Sequence, residues 1–383
     1  MRDTFLPYNL PLIGQEEKEA VLEVLDSGWL TTGKKVQEFE AKIKEITGAK
    51  FAVAMNSCTA GLHLSLVALG IGPGDEVIVP DMTFCATANV VIHTGATPVI
   101  VDITRDTYHI DPAAIERAIT PKTKAIIPVH YAGQACDMEQ IMAIAKKHHL
   151  FVIEDAAHSI GVTYKGQQLG TIGTTTSFSF YVTKNVTTAE GGVVTTNDEG
   201  LADRIRRLTL HGISRDAWKR YSAEGTWYYE VLEPGWKCNL TDLAAAVGIP
   251  QLNRMSDFYA RREEIAQLLN QGLAGIPGLS IPNVRPDTSN IWHLYVIEVD
   301  EKLTGISRDQ MIEELKKRNI GTSVHFIPLH RHPAYKPYGV SAKNLPVAEE
   351  VFSRIISLPL YPKMTDQDAH DVVDAVRDVL ASA

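Results

Sequence analysis

Three short segments of the chain carry residues that could bind an anionic, nitrogen-containing cofactor. The first is Asn56-Ser-Cys-Thr-Ala-Gly61, where small residues follow a predicted strand and open a predicted helix. Backbone N–H groups in the first turn of a helix lack carbonyl partners and can hold a phosphate, although such a segment can also be a plain helix cap. The chain contains neither Gly-x-x-x-x-Gly-Lys-Ser/Thr nor Gly-x-Gly-x-x-Gly, which disfavours nucleoside triphosphates and dinucleotides.

The other two segments place an acid and an amine at the ends of predicted strands. Asp155 follows an apolar run at the sheet edge where α/β folds bind ligands, so its carboxylate needs a cationic partner unless it caps a helix. Lys184 follows the strand-like run 177–182, where burial would lower its pKa toward that of a usable nucleophile; a solvated lysine is the alternative. A phosphate site, an acid and a lysine together are what pyridoxal phosphate requires.

These residues need a sheet to position them, and the hydrophobic pattern predicts one. Five β-branched runs occupy residues 51–55, 76–79, 98–103, 125–130 and 150–154. Helical patterns separate them near residues 59–69, 84–94, 112–119 and 138–149. That alternation predicts a mostly parallel sheet flanked by helices. The runs 177–182 and 192–196 lie too close together for a crossover helix, so we predict an antiparallel insertion there.

The sequence pattern in the C-terminal part of the chain predicts a smaller α+β domain. An irregular, aromatic-rich segment at 214–238 precedes a long helical run from Thr241 to about Leu273. Beyond it the pattern predicts strands at 279–281, 292–299 and 322–326 and helices near 308–318, 346–356 and 366–381. Ser307 and Gln310 form a capping-box pair for the helix at 308. We therefore predict a large cofactor-binding domain at 1–250 and a small domain at 251–383.

Composition and charge argue against several classes of protein. The net charge of −9 opposes a broad grip on nucleic acid or anionic membrane, and no apolar run approaches the roughly 20 residues that span a bilayer. The N-terminus has no signal-like apolar segment, so we expect a cytoplasmic protein. The four cysteines form no Cys-x-x-Cys pair, and His325, His330 and His332 lie in a Pro-rich stretch. We therefore expect reduced thiols and no metal site.

Several motifs resemble those of one family. They are Gly28-Trp-Leu-Thr-Thr-Gly33, Asn56 to His63, Gly70-Ile-Gly-Pro-Gly-Asp-Glu76, Glu154 to Gly161, the Lys184 segment, Lys237-Cys-Asn-Leu-Thr-Asp242 and Val324-His-Phe-Ile-Pro-Leu-His330. Over nearly its whole length the sequence resembles the pyridoxal-phosphate-dependent nucleotide-sugar aminotransferases of the DegT/DnrJ/EryC1/StrS family, in the C4-aminotransferase-like subgroup. The resemblance implies the α/β fold type I aminotransferase architecture, with a seven-stranded type of sheet in the large domain.

The resemblance also implies roles for individual residues. Lys184 would bond the cofactor and act as acid and base, and Asp155 would hold the pyridine nitrogen. Further cofactor contacts are implied for Cys58, Thr59, Phe84, His158 and Ser179, and for Asn239 of a neighbouring subunit. Substrate contacts are implied for Trp29, Leu30, Thr31, Tyr181, His325 and His330. Phe84 could instead be a core residue, and Asn239 could be a helix cap. His325 and His330 could be buried structural residues.

The implied activity is transfer of an amino group from L-glutamate to the keto carbon, C4 being favoured, of a nucleotide-linked 4-keto-deoxysugar. The cofactor would alternate between pyridoxal 5'-phosphate and its pyridoxamine form, and the shared site implies a homodimer. The alternatives are a C3 keto-sugar or cyclitol aminotransferase of the same family and a catalytically silent regulatory or binding protein. In the dehydratases of this fold His replaces the lysine, so Lys184 argues against that activity.

Overall fold

A central sheet positions all three predicted segments. The computed structural model describes residues 2–214, 228–339 and 341–382. In that part of the chain the strands are β1 (Phe51–Met55), β2 (Glu76–Pro80), β3 (Thr97–Val101), β4 (Thr123–Ile126), β5 (Phe151–Asp155), β6 (Thr163–Tyr164), β7 (Gln167–Gln168), β8 (Thr175–Ser179), β9 (Gly192–Thr196), β10 (Leu279–Ser280), β11 (Tyr295–Val299) and β12 (Ile355–Leu358). The helices are α1 (Gln15–Ser27), α2 (Lys34–Thr47), α3 (Cys58–Ala68), α4 (Ala86–His93), α5 (Pro112–Ala118), α6 (Met138–His148), α7 (Glu199–Leu208), α8 (Asp242–Asn253), α9 (Met255–Leu273), α10 (Glu301–Thr304), α11 (Arg308–Lys317), α12 (Pro346–Arg354) and α13 (Asp366–Ala381).

The main sheet has the strand order β1-β9-β8-β5-β4-β2-β3. Strand β9 runs antiparallel to both of its neighbours, and every other neighbouring pair is parallel. Val77, Ile78 and Val79 of β2 are fully buried because both faces of the sheet are covered. The α/β fold with a seven-stranded, mostly parallel sheet is thus confirmed, as is the antiparallel insertion.

The site residues share one edge of this sheet. Strands β1, β2, β5 and β8 all point the same way, so their carboxyl ends meet there. The chain continues from β1 into the segment 56–61, from β5 into 156–158 and from β8 toward Lys184. The loop after β2 enters the same edge. Ligands of α/β proteins bind at such an edge, and it is here that the predicted segments converge.

The C-terminal part builds a second, smaller sheet, with the antiparallel order β10-β11-β12. Its core is formed with α9, α11 and α13, and Leu6 from the N-terminus packs into it. Leu6 also exchanges backbone hydrogen bonds with Asn319 and Gly321. The smaller α+β unit is therefore as predicted, whereas a domain boundary at residue 250 stays a prediction, since α8 crosses that position.

Three element predictions were wrong in detail. The helical run 241–273 is two helices: α8 continues through Pro250 and ends at Asn253, and α9 begins at Met255. The predicted strand 322–326 forms only an isolated bridge, between Ser323 and Ser357. The predicted helix 346–356 ends at Arg354, and the residues after it join β12 because they pair with β11. Helices α1, α2 and α7 are not among the elements predicted from the sequence. Of the segment 214–238, residues 215–227 lie outside the described residues.

The described residues contain neither a membrane-spanning helix nor a cluster of metal-binding side chains. No helix among them combines the length and the apolar character needed to cross a bilayer. No group of three or more histidine, cysteine, aspartate or glutamate side chains in that part of the chain is arranged to hold a metal ion. The four cysteines are free thiols, of which Cys58, Cys136 and Cys238 are buried and Cys85 is half-buried.

Candidate active site

A cavity of about 380 Å³ opens at the carboxyl edge of the sheet. Nine of the residues selected from the sequence line it: Cys58, Thr59, Phe84, Asp155, His158, Ser179, Tyr181, Lys184 and His325. The cavity therefore gathers a helix N-terminus, a buried acid and a lysine in one space. Five other selected residues do not line it and are described below.

The first turn of α3 forms one end of the cavity. Ser57 caps the helix, since its side chain accepts a hydrogen bond from Ala60 N at 3.1 Å. The amides of Cys58 and Thr59 lie in this first turn, where no preceding helical carbonyl is available to them. Ser179, at the end of β8, is nearly buried beside them. Amides, a hydroxyl and the positive end of the helix dipole together suit an anion such as a phosphate.

Gly192 in β9 lets the sheet approach this helix end closely. A Cβ atom at residue 192 would lie 2.3 Å from the carbonyl carbon of Ser57 and 2.4 Å from the amide nitrogen of Cys58. Real Cβ atoms are essentially never that close to backbone atoms. The second glycine of Glu190-Gly-Gly192 is thus required by the position of the α3 N-terminus.

Asp155 is 5% exposed and held at the end of β5 by several hydrogen bonds. Its Oδ2 accepts from Thr87 Oγ1 at 2.9 Å, and its Oδ1 accepts from Ala157 N at 3.2 Å. Burial raises the pKa of Asp155, and the bonds from Thr87 and Ala157, followed by the charge of Lys184, oppose that rise. The site therefore contains a desolvated carboxyl group whose ionised form is favoured by a cationic partner.

Lys184 follows β8 and reaches the same cavity. Burial lowers its pKa to about 8, although the charges of Cys58 and Asp155 act in the opposite direction. A lysine with that pKa presents a substantial fraction of neutral amine near neutral pH, which is the form that attacks a carbonyl carbon. The predicted lowering of the Lys184 pKa is thus found in the structure.

Aromatic and imidazole rings form the remaining walls. Phe84 is 59% exposed at the cavity mouth, with its ring centroid 6.0 Å from that of Phe326, so it is not a core residue. His158 is buried and stacks on Phe326 at 6.0 Å and 21°. Burial and then the charge of Lys184 lower the pKa of His158 well below its usual value and that of His325 to about 4. Both histidines are neutral at pH 7.

Several cavity residues were missed by sequence reasoning. Tyr8, Asn9 and His293 line the cavity, but each lies far from the motifs in the chain. Thr87, which orients Asp155, was also missed, although Phe84, three residues before it, was selected as a cofactor contact. Only the approach of the N-terminal segment and of the strand region before β11 brings the first three residues to Lys184.

Four of the five selected residues outside the cavity share another surface. Asn239 donates to Thr32 Oγ1 at 2.6 Å, and Thr31 O accepts from Asp242 N at 3.1 Å. Trp29 and Leu30 are each 42% exposed next to them. Asn239 is not the cap of α8, because Thr241 caps that helix and Asp242 binds the first amides of α2.

His330, the fifth selected residue that does not line the cavity, is part of an ion-pair cluster. Its Nδ1 lies 2.6 Å from Asp81 Oδ2 and its Nε2 lies 2.5 Å from Glu349 Oε1. Burial lowers the pKa of His330, but the hydrogen bonds and charges of Asp81 and Glu349 outweigh it and raise the pKa. This histidine is placed to stabilise the fold, and it does not reach the cavity lining.

The residues present fit pyridoxal phosphate. The amides of Cys58 and Thr59 would hold its phosphate, Asp155 its ring nitrogen and Lys184 its carbonyl carbon. Nδ1 of His158 is buried without a hydrogen-bond partner among the described residues, so the cavity holds an unused polar atom beside the ring position. The fold and this lysine–aspartate cavity are those of the fold type I pyridoxal-phosphate-dependent aminotransferases.

The chain belongs to the DegT/DnrJ/EryC1/StrS aminotransferase family, whose model matches residues 11–377. It is 56% identical over 384 residues to the spore coat polysaccharide biosynthesis protein SpsC of Bacillus subtilis. The alignment covers 100% of this chain and 99% of SpsC. This chain is therefore an enzyme of the pyridoxal-phosphate-dependent aminotransferase class.

Solved structures agree with this assignment. Spr1654 from Streptococcus pneumoniae, solved in its PMP form, matches with a TM-score of 0.93 and 37% identity over 98% of this chain and 99% of that one. PseC of Helicobacter pylori, an aminotransferase involved in the biosynthesis of pseudoaminic acid, matches with a TM-score of 0.91 and 30% identity over 100% of both chains. Spr1654 has also been solved in its PLP form, with a TM-score of 0.92 and 36% identity over 99% of both chains.

Proposed function

We propose that this enzyme transfers the amino group of L-glutamate to the keto carbon, C4 in preference, of a nucleotide-linked 4-keto-deoxysugar. The observation that carries the proposal is the presence of Lys184 and Asp155 in one cavity with the free amides of α3. The relatives support the sugar substrate, because SpsC is named for polysaccharide biosynthesis and PseC for pseudoaminic acid. The product would enter amino-sugar or surface-glycan synthesis.

In this proposal the bound cofactor supplies an electron sink for the carbon that loses or gains a proton. Lys184 moves that proton, since its amine has a pKa of about 8 and can give or take a proton near neutral pH. Asp155 holds the pyridine nitrogen in its protonated form. The amides of Cys58 and Thr59, with Ser179, bind the phosphate and fix the orientation of the ring. The cavity walls exclude water from the reacting carbon.

The substrate side lies toward the mouth of the cavity. Tyr181 is 44% exposed there and Phe84 is 59% exposed, so both can contact a sugar ring. His325, whose Nδ1 lies 2.9 Å from Ser357 Oγ, lines the same cavity. The preference for C4 rests on a resemblance: the aromatic-rich segment 214–238 is similar to the one that precedes Asn-Leu-Thr-Asp in C4 aminotransferases, and its residues 215–227 lie outside the described residues.

The enzyme is proposed to act as a cytoplasmic homodimer. The surface formed by the exposed Trp29, Leu30 and Thr31 and the half-buried Asn239 does not line the cavity of its own chain. In a dimer it would cover the cavity of the partner and bring an amide to the cofactor phosphate. Asn239→Asp should then weaken retention of the cofactor, since it places like charge beside phosphate. Unchanged retention by a dimeric variant would contradict this contact.

The visible spectrum of the purified protein with pyridoxal phosphate tests the proposed function. Glutamate should bleach the visible absorption band, and one member of a panel of nucleotide 4-keto sugars should restore it. Nucleotide 3-keto sugars and a keto cyclitol are tested beside this panel, because restoration of the band by one of them would favour an alternative substrate. A band that glutamate leaves unchanged would contradict the proposed donor.

A further inference from the structure

His293 occupies a position in the cavity wall to which neither the sequence nor the relatives assign a role. It is 5% exposed and lines the cavity. Its ring centroid lies 4.2 Å from that of His158, with an angle of 33° between the rings. His293 thus covers one face of the histidine that stands beside the cofactor ring position.

An amide fixes the ring of His293 to the lysine segment. Nδ1 of His293 lies 2.8 Å from Oδ1 of Asn185, and Nδ2 of Asn185 donates to Ile291 O at 3.0 Å. The second bond occupies the amide nitrogen, so the amide oxygen faces His293 and its Nδ1 must carry the hydrogen. Because Asn185 follows Lys184 directly, one amide joins the lysine loop to this ring.

Hydrogen bonds and close packing also fix the backbone next to His293. The carbonyl of Trp292 accepts from Nη1 of Arg262 at 2.9 Å, and the amide of Trp292 donates to Asn290 Oδ1 at 2.8 Å. Trp292 itself has a φ of 49°, in the left-handed region. A Cβ atom at Gly133 would lie 3.0 Å from the backbone nitrogen of His293, so the loop has little space on that side.

His158, by contrast, has little to orient it except packing. Its Nδ1 is buried without a hydrogen-bond partner among the described residues. The rings around it are His293 at 4.2 Å, Phe326 at 6.0 Å and Tyr131 at 6.2 Å between centroids. The shortest of these contacts comes from the ring that is anchored by Asn185. A side chain without hydrogen bonds keeps its rotamer only while its neighbours hold it.

We propose that His293, anchored by Asn185, is a positioning residue that fixes the ring of His158 against the bound cofactor. This inference rests on the proposed function, because it takes His158 as the contact to the polar edge of the cofactor ring. The charged and titratable groups that act on His293 are His158, Lys184, Arg262 and His325. His293 acts on the reaction through His158 and not by touching the substrate.

A double-mutant cycle in the pyridoxal-phosphate-loaded enzyme tests this role. His293→Ala should lower kcat of the half-reaction with glutamate by roughly 10- to 100-fold, since small misplacements cost that much, with KM changed less than about threefold. The visible band should shift as well. In a His158→Phe background the same change should cost almost nothing more, because the residue to be positioned is gone. His370→Ala, on the exposed side of α13, is the matched control.

Two outcomes would overturn the proposal. One is full additivity of His293→Ala and His158→Phe, and the other is a His293→Ala spectrum and kcat equal to those of the His370→Ala control. If His293→Ala fails to fold, Asn185→Ala releases the same anchor and should shift the visible band; an unshifted band overturns the proposal. A wild-type enzyme that forms the band but does not react with glutamate would refute the proposed function, while the band shift still tests His293.

Discussion

Thr87 donates a hydrogen bond from its Oγ1 to Oδ2 of Asp155 across 2.9 Å, and this bond ties the first turn of α4, directly after the loop that follows β2, to the end of β5. Oγ1 of Thr83 lies a further 2.8 Å from Oγ1 of Thr87, so two hydroxyls support the carboxylate in series. Phe84 lies on the same loop. The acid that would hold the cofactor nitrogen and the aromatic ring at the cavity mouth are therefore positioned by one connected segment.

Asp155→Asn should reduce activity and stabilise the cofactor-free protein. Burial raises the pKa of Asp155, so the folded state binds this proton more tightly than the unfolded state does. The free energy of unfolding therefore decreases as pH rises through the range in which this carboxyl ionises. A neutral amide removes the free-energy cost of burying an ionised carboxylate, so the Tm of the cofactor-free variant should be higher than that of the wild type at pH 7. Turnover should fall roughly 10- to 1,000-fold, because an opposite charge shifts a neighbouring pKa by about 1–3 units. Near-normal turnover would place the pyridine partner elsewhere.

Lys184 gives the uptake of cofactor a distinct pH dependence. Only the neutral amine can attack the carbonyl carbon of pyridoxal phosphate, and burial lowers the pKa of Lys184 to about 8. The uptake rate of the cofactor-free protein, followed by absorbance, should rise with pH to a midpoint near pH 8. A midpoint near the ordinary lysine value of 10.5 would contradict the burial of this amine.

Gly192→Ala should damage the phosphate site. The new methyl group would lie 2.3 Å from Ser57 C and 2.4 Å from Cys58 N, so the N-terminus of α3 must move away from β9. We expect the affinity for pyridoxal phosphate to fall roughly tenfold or more, equivalent to about 1.4 kcal/mol or more, in equilibrium titration. The matched control is Gly200→Ala in α7, where only Asp198 Oδ1 comes near, at 3.4 Å. Equal affinities for the two variants would rule out this close approach.

His330 should make stability depend on pH. Burial lowers its pKa, but Asp81 and Glu349 together raise it, so the folded state binds the proton more tightly than the unfolded state. The resulting stability is complete below the ordinary pKa of 6.5 and is lost as pH rises through the folded-state value. The Tm of the wild type should therefore fall above about pH 6.5 more steeply than that of His330→Gln. If His330 contacts the substrate instead, the variant will raise KM for the sugar.

The chemistry of the site was readable from the sequence because it lies at strand ends. Asp155 and Lys184 each follow a β-branched run, and parallel strands bring such ends to one edge. His293 gives no such signal: it reaches the cavity only because Asn185 and Arg262 hold the loop before β11. A tertiary contact of that kind leaves no periodicity in the sequence.

The element errors have two different origins. Val36, Phe39 and Ile43 in α2 are buried at helical spacing, so this missed helix could have been predicted. Ile355 and Ile356 continue the apolar pattern of α12, yet they pair with β11 as part of β12. Local pattern cannot decide between those two states, because the choice depends on a neighbouring strand.

Comparing the wild type with Lys184→Ala in the glutamate half-reaction tests whether Lys184 is the reactive amine. The wild type loaded with pyridoxal phosphate should show a visible band that glutamate bleaches, with release of 2-oxoglutarate. Lys184→Ala should show neither the bleaching nor the product, because Lys184 is the one lysine among the described residues that line the cavity. Bleaching and 2-oxoglutarate release by Lys184→Ala at the wild-type rate would contradict the assignment of the reactive amine.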